Sequence, residues 1–156
     1  MAGKTSHGKL VAQNRRARYN FSIEDTLEAG VVLTGSEVKS LRAGRVSLNE
    51  AWAGAQGGEL YLMNCHVPVY QNAGNQNHEP TRPRKLLVRR RELDRLIGAV
   101  RREGRTLVPL RLYFNDRGVA KVELAVARGK RKSDKRETTK ARDWQRQRGR
   151  LMRDKG

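Results

Sequence analysis

The chain has 156 residues and one cysteine, which leaves room for a single domain with a terminal arm and excludes an internal disulfide. Its 34 Lys and Arg against 16 Asp and Glu give a formal charge of +18, a balance that repels itself in isolation and suits a polyanionic partner. No apolar run approaches the roughly 18 residues of a membrane span, and the opening MAGKTSHGKLVAQNRRARYN lacks the apolar stretch of a signal peptide, so nucleic acid is favoured over membrane. The lone Cys65 fits a reducing cytoplasm.

Residues 1–17 are polar and basic and are expected to form a flexible N-terminus, loose until the first strand. RYNFSIEDTLEAGVVLTG reads as that strand, with Tyr19, Phe21 and Ile23 alternating with polar neighbours and Val31, Val32 and Leu33 following a break at Ala29-Gly30. The period then changes. In TGSEVKSLRAG, Thr34 can cap a helix and Glu37 can return the bond as a capping box; Val38 and Leu41 share a face, and Gly44 supplies the stop. NEAWAGAQGGELYLMNCHVPVY reads as a hairpin turning at Gly57-Gly58, with Leu60 and Leu62 on one face and Tyr61 on the other.

QNAGNQNHEPTRPR, residues 71–84, is polar, carries two prolines and is expected to be a loop. From about Arg90 the pattern is helical, with Leu93, Leu96, Ile97 and Val100 on one face and Gly104 ending the run. TLVPLRLYFNDRGVAKVELAVA is a second hairpin around Asn115–Gly118, its second arm placing Val122, Leu124 and Val126 on one face. The order strand, helix, two strands, helix, two strands points to a mainly β chain. The expected fold is a small antiparallel OB-like β-barrel over residues 18–127 with flanking α-helices, followed by a disordered basic C-terminal tail over 128–156.

Catalytic chemistry finds little purchase. Cys65 and His66 are adjacent in a predicted strand, so their side chains diverge and cannot form a nucleophile–base pair. One cysteine and the scattered His7, His66 and His78 do not supply the about four ligands of a zinc site. His78, beside Glu79, reads as a solvated or RNA-contacting loop residue rather than a base. No glycine opens a phosphate loop of the G-x-x-x-x-G-K-S/T kind, and no acidic pair suggests acid–base work. The expectation is a binding protein, not an enzyme, with no metal and no cofactor.

Three basic clusters stand out: RRAR with Arg15, Arg16 and Arg18; RPRKLLVRRR with Arg84 and Lys85; and the tail. Unpaired like charges cost stability unless a phosphate backbone neutralises them, and the predominance of Arg suits bidentate phosphate contacts. Aromatics make up only 5% of residues, so recognition by RNA shape and backbone fits better than a base-stacking sheet. The segment from Arg128 carries 13 basic residues, Lys130 and Lys132 among them, against 4 acidic ones. As a helix it would align Arg142, Arg146, Arg150 and Arg153 on one stripe and Ala141, Trp144 and Leu151 on another. Three apolar contacts do not offset the ordering entropy of so charged a segment, which is therefore expected to be disordered alone and helical when bound.

GSEVKSLRAG, then EPTRPRKLL with RELDRL, then VARGKRKSDKR leading to DWQ and RLM, resemble small protein B, the SsrA-binding protein family of bacterial trans-translation, over residues 14 to 152. The resemblance implies an antiparallel OB-type barrel. It also implies an adaptor, acting as a monomer, that binds the tRNA-like domain of transfer-messenger RNA and delivers it with elongation factor Tu to stalled ribosomes. By position, it implies that Asn14, Glu28 and Leu87 hold the tRNA-like domain, with Lys39 and Arg42 as a basic helix face. Asp134, Lys135 and Arg136 would meet the small-subunit decoding centre, and Leu151 and Met152 the empty message channel. Ser133 stands where the family often has a stacking ring. Gly149 stands where relatives tend to have Ala, at a cost of about 1 kcal/mol of helix. Composition alone leaves open a second reading, a structural ribosomal protein whose basic tail threads ribosomal RNA.

Overall fold

Alternation, turn chemistry and one capping motif set the local elements of the chain. The computed structural model describes residues 9–130. Seven strands, β1 (Lys9–Gln13), β2 (Phe21–Val31), β3 (Trp52–Gln56), β4 (Glu59–Met63), β5 (Arg84–Leu87), β6 (Thr106–Phe114) and β7 (Ala120–Gly129), are interleaved with helices α1 (Ala17–Asn20), α2 (Gly35–Ala43) and α3 (Arg90–Glu103). A 3-10 segment spans Gln71–Gln76.

Helix α2 begins as its sequence dictates. The Glu37 backbone N–H donates to Thr34 Oγ1 at 3.4 Å and the Thr34 N–H donates to Glu37 Oε1 at 2.8 Å, so two otherwise unpaired N–H groups are satisfied reciprocally. The β3–β4 hairpin turns on Gly57 and Gly58, with φ of 58° and 79°; two successive left-handed residues give the turn whose twist matches the strands, and only glycine adopts it without strain. In the β6–β7 hairpin the Asn115 side chain accepts from the N–H groups of Arg117 and Val119.

All pairings are antiparallel, in the order β1-β6-β3-β4-β5-β2-β7, and β7 also pairs with β6, so the path of hydrogen-bonded neighbours from β6 to β7 returns to β6 and leaves β1 on the edge. Closure rests on one short contact: Ala53 of β3 is the partner of Leu107 of β6. Inside lie Leu60, Leu62, Leu86, Leu107, Leu112, Val122 and Leu124, joined by Leu41 of α2 and by Leu93 and Leu96 of α3. Val122, Leu124 and Val126 share one face, as the alternation requires; Ala125 and Ala127 on the opposite face are buried too, against Ala17, Val108 and Leu110.

That second cluster, with β1, corrects the expectation of a loose N-terminus for residues 9–17, the part of it that is described. Lys9–Gln13 pair with β6 from Lys9↔Phe114 to Gln13↔Arg111, and Ala17 is 2% exposed. Tyr19 belongs to α1, and the first long strand starts at Phe21. A five-residue strand on a sheet edge has too short a pattern to announce itself, and its stability comes from its partner. The short β5, adjoining a proline-bearing loop, escaped for the same reason.

One charged cluster sits inside. Arg84 is 1% exposed and Glu37 fully buried; Arg84 Nε lies 2.5 Å from Glu37 Oε2, and its Nη groups donate to the carbonyls of Cys65 and Pro80. Arg82 Nη2 reaches the other carboxylate oxygen. Burial by itself would raise the Glu37 carboxyl, but Arg82, the Thr34 N–H and Arg84 overcome it and hold the group below the ordinary range. The 71–84 segment is anchored beside it. His78 is buried, with Nε2 donating to the Val67 carbonyl at 2.8 Å and Nδ1 accepting from the Ser36 hydroxyl at 2.9 Å, a tautomer dictated by the carbonyl, which can only accept. The solvated or RNA-contacting role expected of His78 is thereby corrected: it ties the loop to α2.

Glu37→Gln leaves the Arg84 charge buried without a counter-ion and is expected to cost about 3–5 kcal/mol in urea unfolding at neutral pH. Because the folded-state pKa is depressed, the stabilisation from Glu37 is present above the unfolded value of about 4.3 and is lost as pH falls through the lower folded value. The wild-type urea midpoint should therefore drop on acidification with a component that Glu37→Gln lacks. Cys65, 1% exposed, has its thiol pushed up to about 11, chiefly by burial. At pH 8 on the order of one molecule in a thousand would be thiolate, so a disulfide reagent should label the native chain far more slowly than the urea-unfolded one.

Candidate nucleic-acid interface

Strand alternation sorts the candidate recognition residues. On β2, Ala29 and Val31 point into the core, which turns Glu28 and Gly30 to the other face; Val32, just past the strand, is exposed. On β5, Leu86 points inward and Lys85 and Leu87 outward; on β7, Val122 and Leu124 point inward and Lys121 and Glu123 outward; on β6, Leu112 and Phe114 point inward and Arg111 and Tyr113 outward.

Register then assembles these into rows across the sheet. Leu87 lies opposite Gly30, Gly30 opposite Lys121, and Lys121 opposite Tyr113. Glu28 lies opposite Glu123, and Glu123 opposite Arg111. Leu87 is 54% exposed and rests over Gly30, where an added Cβ would stand 3.3 Å from the Leu87 Cβ. The absent side chain lets the leucine lie across the strand instead of standing off it. The Tyr113 hydroxyl donates to Glu28, and burial first, then that bond and the nearby carboxylates, pushes the phenol well above its usual pKa, so it remains a donor.

Beside this face a cleft of about 400 Å³ is lined by Gln13, Asn14, Arg15, Arg18, Arg111 and Glu123. Asn14 is pinned in it: its amide nitrogen donates to the carbonyls of Pro109 at 3.2 Å and Leu48 at 3.5 Å, leaving the amide oxygen as what it can offer a ligand. Arg15, Arg16 and Arg18 are exposed around α1. Lys39 and Arg42, also exposed, share one face of α2, the first 5.6 Å above the Tyr70 ring and the second 6.0 Å from that of Phe114. Such stacking leaves a cation in place and still able to meet a phosphate.

Most of the expected body residues therefore reach the surface, and Asn14, Arg15, Arg18 and Glu28 converge on the region around Arg111 and Glu123. Arg84 does not: its guanidinium is consumed by Glu37 and two carbonyls inside the protein, which corrects its assignment as an RNA contact. Lys85 is outward, 3.7 Å from Glu59. Lys130, the first of the expected tail contacts, lies against the body, with Nζ donating to the Arg18 carbonyl at 2.8 Å. Lys132, Asp134, Lys135, Arg136, Arg142, Trp144, Arg146, Arg150, Leu151 and Met152 lie outside the described residues. Arg111, Tyr113, Lys121 and Glu123 were not anticipated, although their alternation with Leu112, Phe114, Val122 and Leu124 marks them as outward. Among the described residues no group of three or more His, Cys, Asp and Glu could hold a metal ion, and no helix is long and apolar enough to cross a membrane.

The model of the family described as SmpB protein matches residues 11–154. The chain is 60% identical over 148 residues to the SsrA-binding protein of Brucella canis, covering 95% of this chain and 94% of that one. It is 55% identical to the SsrA-binding protein of Methylobacterium nodulans over 100% of both chains. Among solved structures it is similar to a chain from one described as "tmRNA-SmpB: a journey to the center of the bacterial ribosome", with a TM-score of 0.65, 49% identity, and coverage of 81% of this chain and 92% of that chain.

Proposed function

The chain belongs to the SmpB protein family, and on that premise we propose that it is a cytoplasmic RNA adaptor for ribosome rescue. Its self-closing sheet is an OB-type barrel that binds the tRNA-like domain of transfer-messenger RNA, and the basic segment beyond Lys130 engages the stalled ribosome. The observation that carries this reading is the outer face itself, where an exposed leucine, Leu87, and a carboxylate, Glu28, stand among the cations Lys85, Arg111 and Lys121 and beside the arginine-lined cleft of Arg15 and Arg18.

Each component has a physical task. Arg15, Arg16, Arg18, Lys39, Arg42 and Lys85 neutralise phosphates and release counterions, each contact steepening the salt dependence by about 0.7–0.9. Leu87 excludes water from the contact. Glu28 is repelled by phosphate, so it accepts from a base N–H or a ribose hydroxyl and confers discrimination rather than raw affinity. The segment holding Asp134, Lys135 and Arg136 is assigned to the decoding centre and Leu151 and Met152 to the vacant message channel, with elongation factor Tu in the delivery complex and the protein acting as a monomer. On this reading that segment would fold as ribosomal RNA supplies its counter-charge.

The experiment separates the two parts. Arg128 pairs with Ser22 and Gly129 with Phe21, so the cut belongs after Lys130, where β7 stays whole. A chain ending at Lys130 is expected to bind the isolated tRNA-like domain with nearly unchanged affinity while failing to support tagging of a nascent peptide on a message without a stop codon. Loss of RNA binding along with tagging would overturn the division of labour. Retention of the full chain on ribosomal subunits through high-salt washing would favour a structural ribosomal component instead.

A further inference from the structure

Glu28 and Glu123 face each other across β2 and β7. Like charges directly opposite on neighbouring strands repel, and here β6 gives each a separate partner. Arg111 Nη2 stands 3.2 Å from Glu123 Oε2, and the Tyr113 hydroxyl donates to Glu28 Oε2. The Arg111 guanidinium carbon lies 5.6 Å from the centre of the Tyr113 ring, so the two β6 side chains brace one another.

The burial of this group is uneven. Tyr113 is 2% exposed whereas Glu28 is open to solvent. For packing alone a phenylalanine would fill the same space and need no partner, since a buried hydroxyl must find an acceptor. A buried phenol whose proton is directed at an exposed carboxylate instead orients that carboxylate. On the reading of this face as the RNA site, we infer that Tyr113 is a positioning residue for RNA recognition. It fixes Glu28 and occupies one carboxylate oxygen, leaving Oε1 to accept from a single neutral donor of the RNA, a ribose 2′-hydroxyl or a base N–H. Without Tyr113, Glu28 would sample other rotamers and approach phosphates that repel it, and binding would have to order it again.

The test uses the full chain and the isolated tRNA-like domain. Tyr113→Phe keeps the ring and removes the hydroxyl. It is expected to weaken binding about tenfold, the scale of one hydrogen bond to a charged group, with the salt slope unchanged because no cation–phosphate contact is lost. Binding to an unrelated RNA duplex should not change. Glu28→Gln should lose about as much, and the double variant no more than Glu28→Gln alone, since both act through one interaction. Glu28→Asp, on the surface and still charged but withdrawn from the hydroxyl, should lose a similar amount even if Tyr113→Phe proves poorly folded. In RNA carrying 2′-deoxy sugars at the protected nucleotides, disappearance of the Tyr113→Phe penalty assigns the donor to ribose, and its persistence assigns it to a base. A lowered melting temperature with RNA affinity untouched, or losses that add in the double variant, would overturn the inference. Failure of the wild-type chain to bind the tRNA-like domain at all would instead overturn the functional reading on which it rests.

Discussion

The Glu37 carboxylate holds helix α2, strand β5 and the loop before it in their relative places. It closes the capping box of α2, receives Arg84 from β5 and accepts Arg82 from the loop before it. Helix α2 carries Lys39 and Arg42, and β5 carries Lys85 and Leu87, so one buried anion joins the two basic surfaces on either side of it. A cation and an anion withdrawn together from water are costly unless every donor is satisfied. The carbonyls of Cys65 and Pro80 accept from the two Nη groups of Arg84, so each of its nitrogens has a partner. The His78–Ser36 bond and the Ser40 hydroxyl, which donates to the Pro68 carbonyl, fasten the same helix from other sides.

With that joint in place, a strongly basic protein can use its few acids selectively. Charges on the outer face fall into two kinds. Arg15, Arg16, Arg18 and Arg42 are exposed and suit a phosphate backbone. Glu28 and Glu123 are held by Tyr113 and Arg111 and cannot swing freely into that field. On the proposed function, affinity would fall to cations on and before α1 and on α2, and discrimination to carboxylates on the neighbouring strands β2 and β7, which would let a shape-reading protein prefer one folded RNA over bulk duplex.

Much of this was legible from single motifs. Thr34 with Glu37, Gly57 with Gly58, and Asn115 through Gly118 each specify their local structure within four residues, and the structure follows them. The helical face of Leu93, Leu96 and Ile97 was equally plain. What escaped shares one property. β1 and β5 are short and owe their existence to the strands they pair with. Arg84 and His78 were assigned to RNA because Arg and His in a polar, proline-bearing stretch ordinarily face solvent. Arg84 is buried against Glu37 and His78 against Ser36, each more than forty positions away, and both also bond carbonyls contributed by the segment after β4. That the Tyr113 hydroxyl meets Glu28 depends on a register across three strands.

The sequence by itself determined the chemistry available: a large cationic excess, a strongly basic C-terminal segment, a capped helix presenting Lys39 and Arg42, and the motifs that mark the family. Only the tertiary structure decided which cations remain for a partner and which are spent internally, and which carboxylates are aimed and by what. The reason is physical. Propensity and periodicity act over a few residues, whereas the burial of a charge and the facing of two side chains across a closed sheet depend on groups distant in the chain, whose meeting is set by packing.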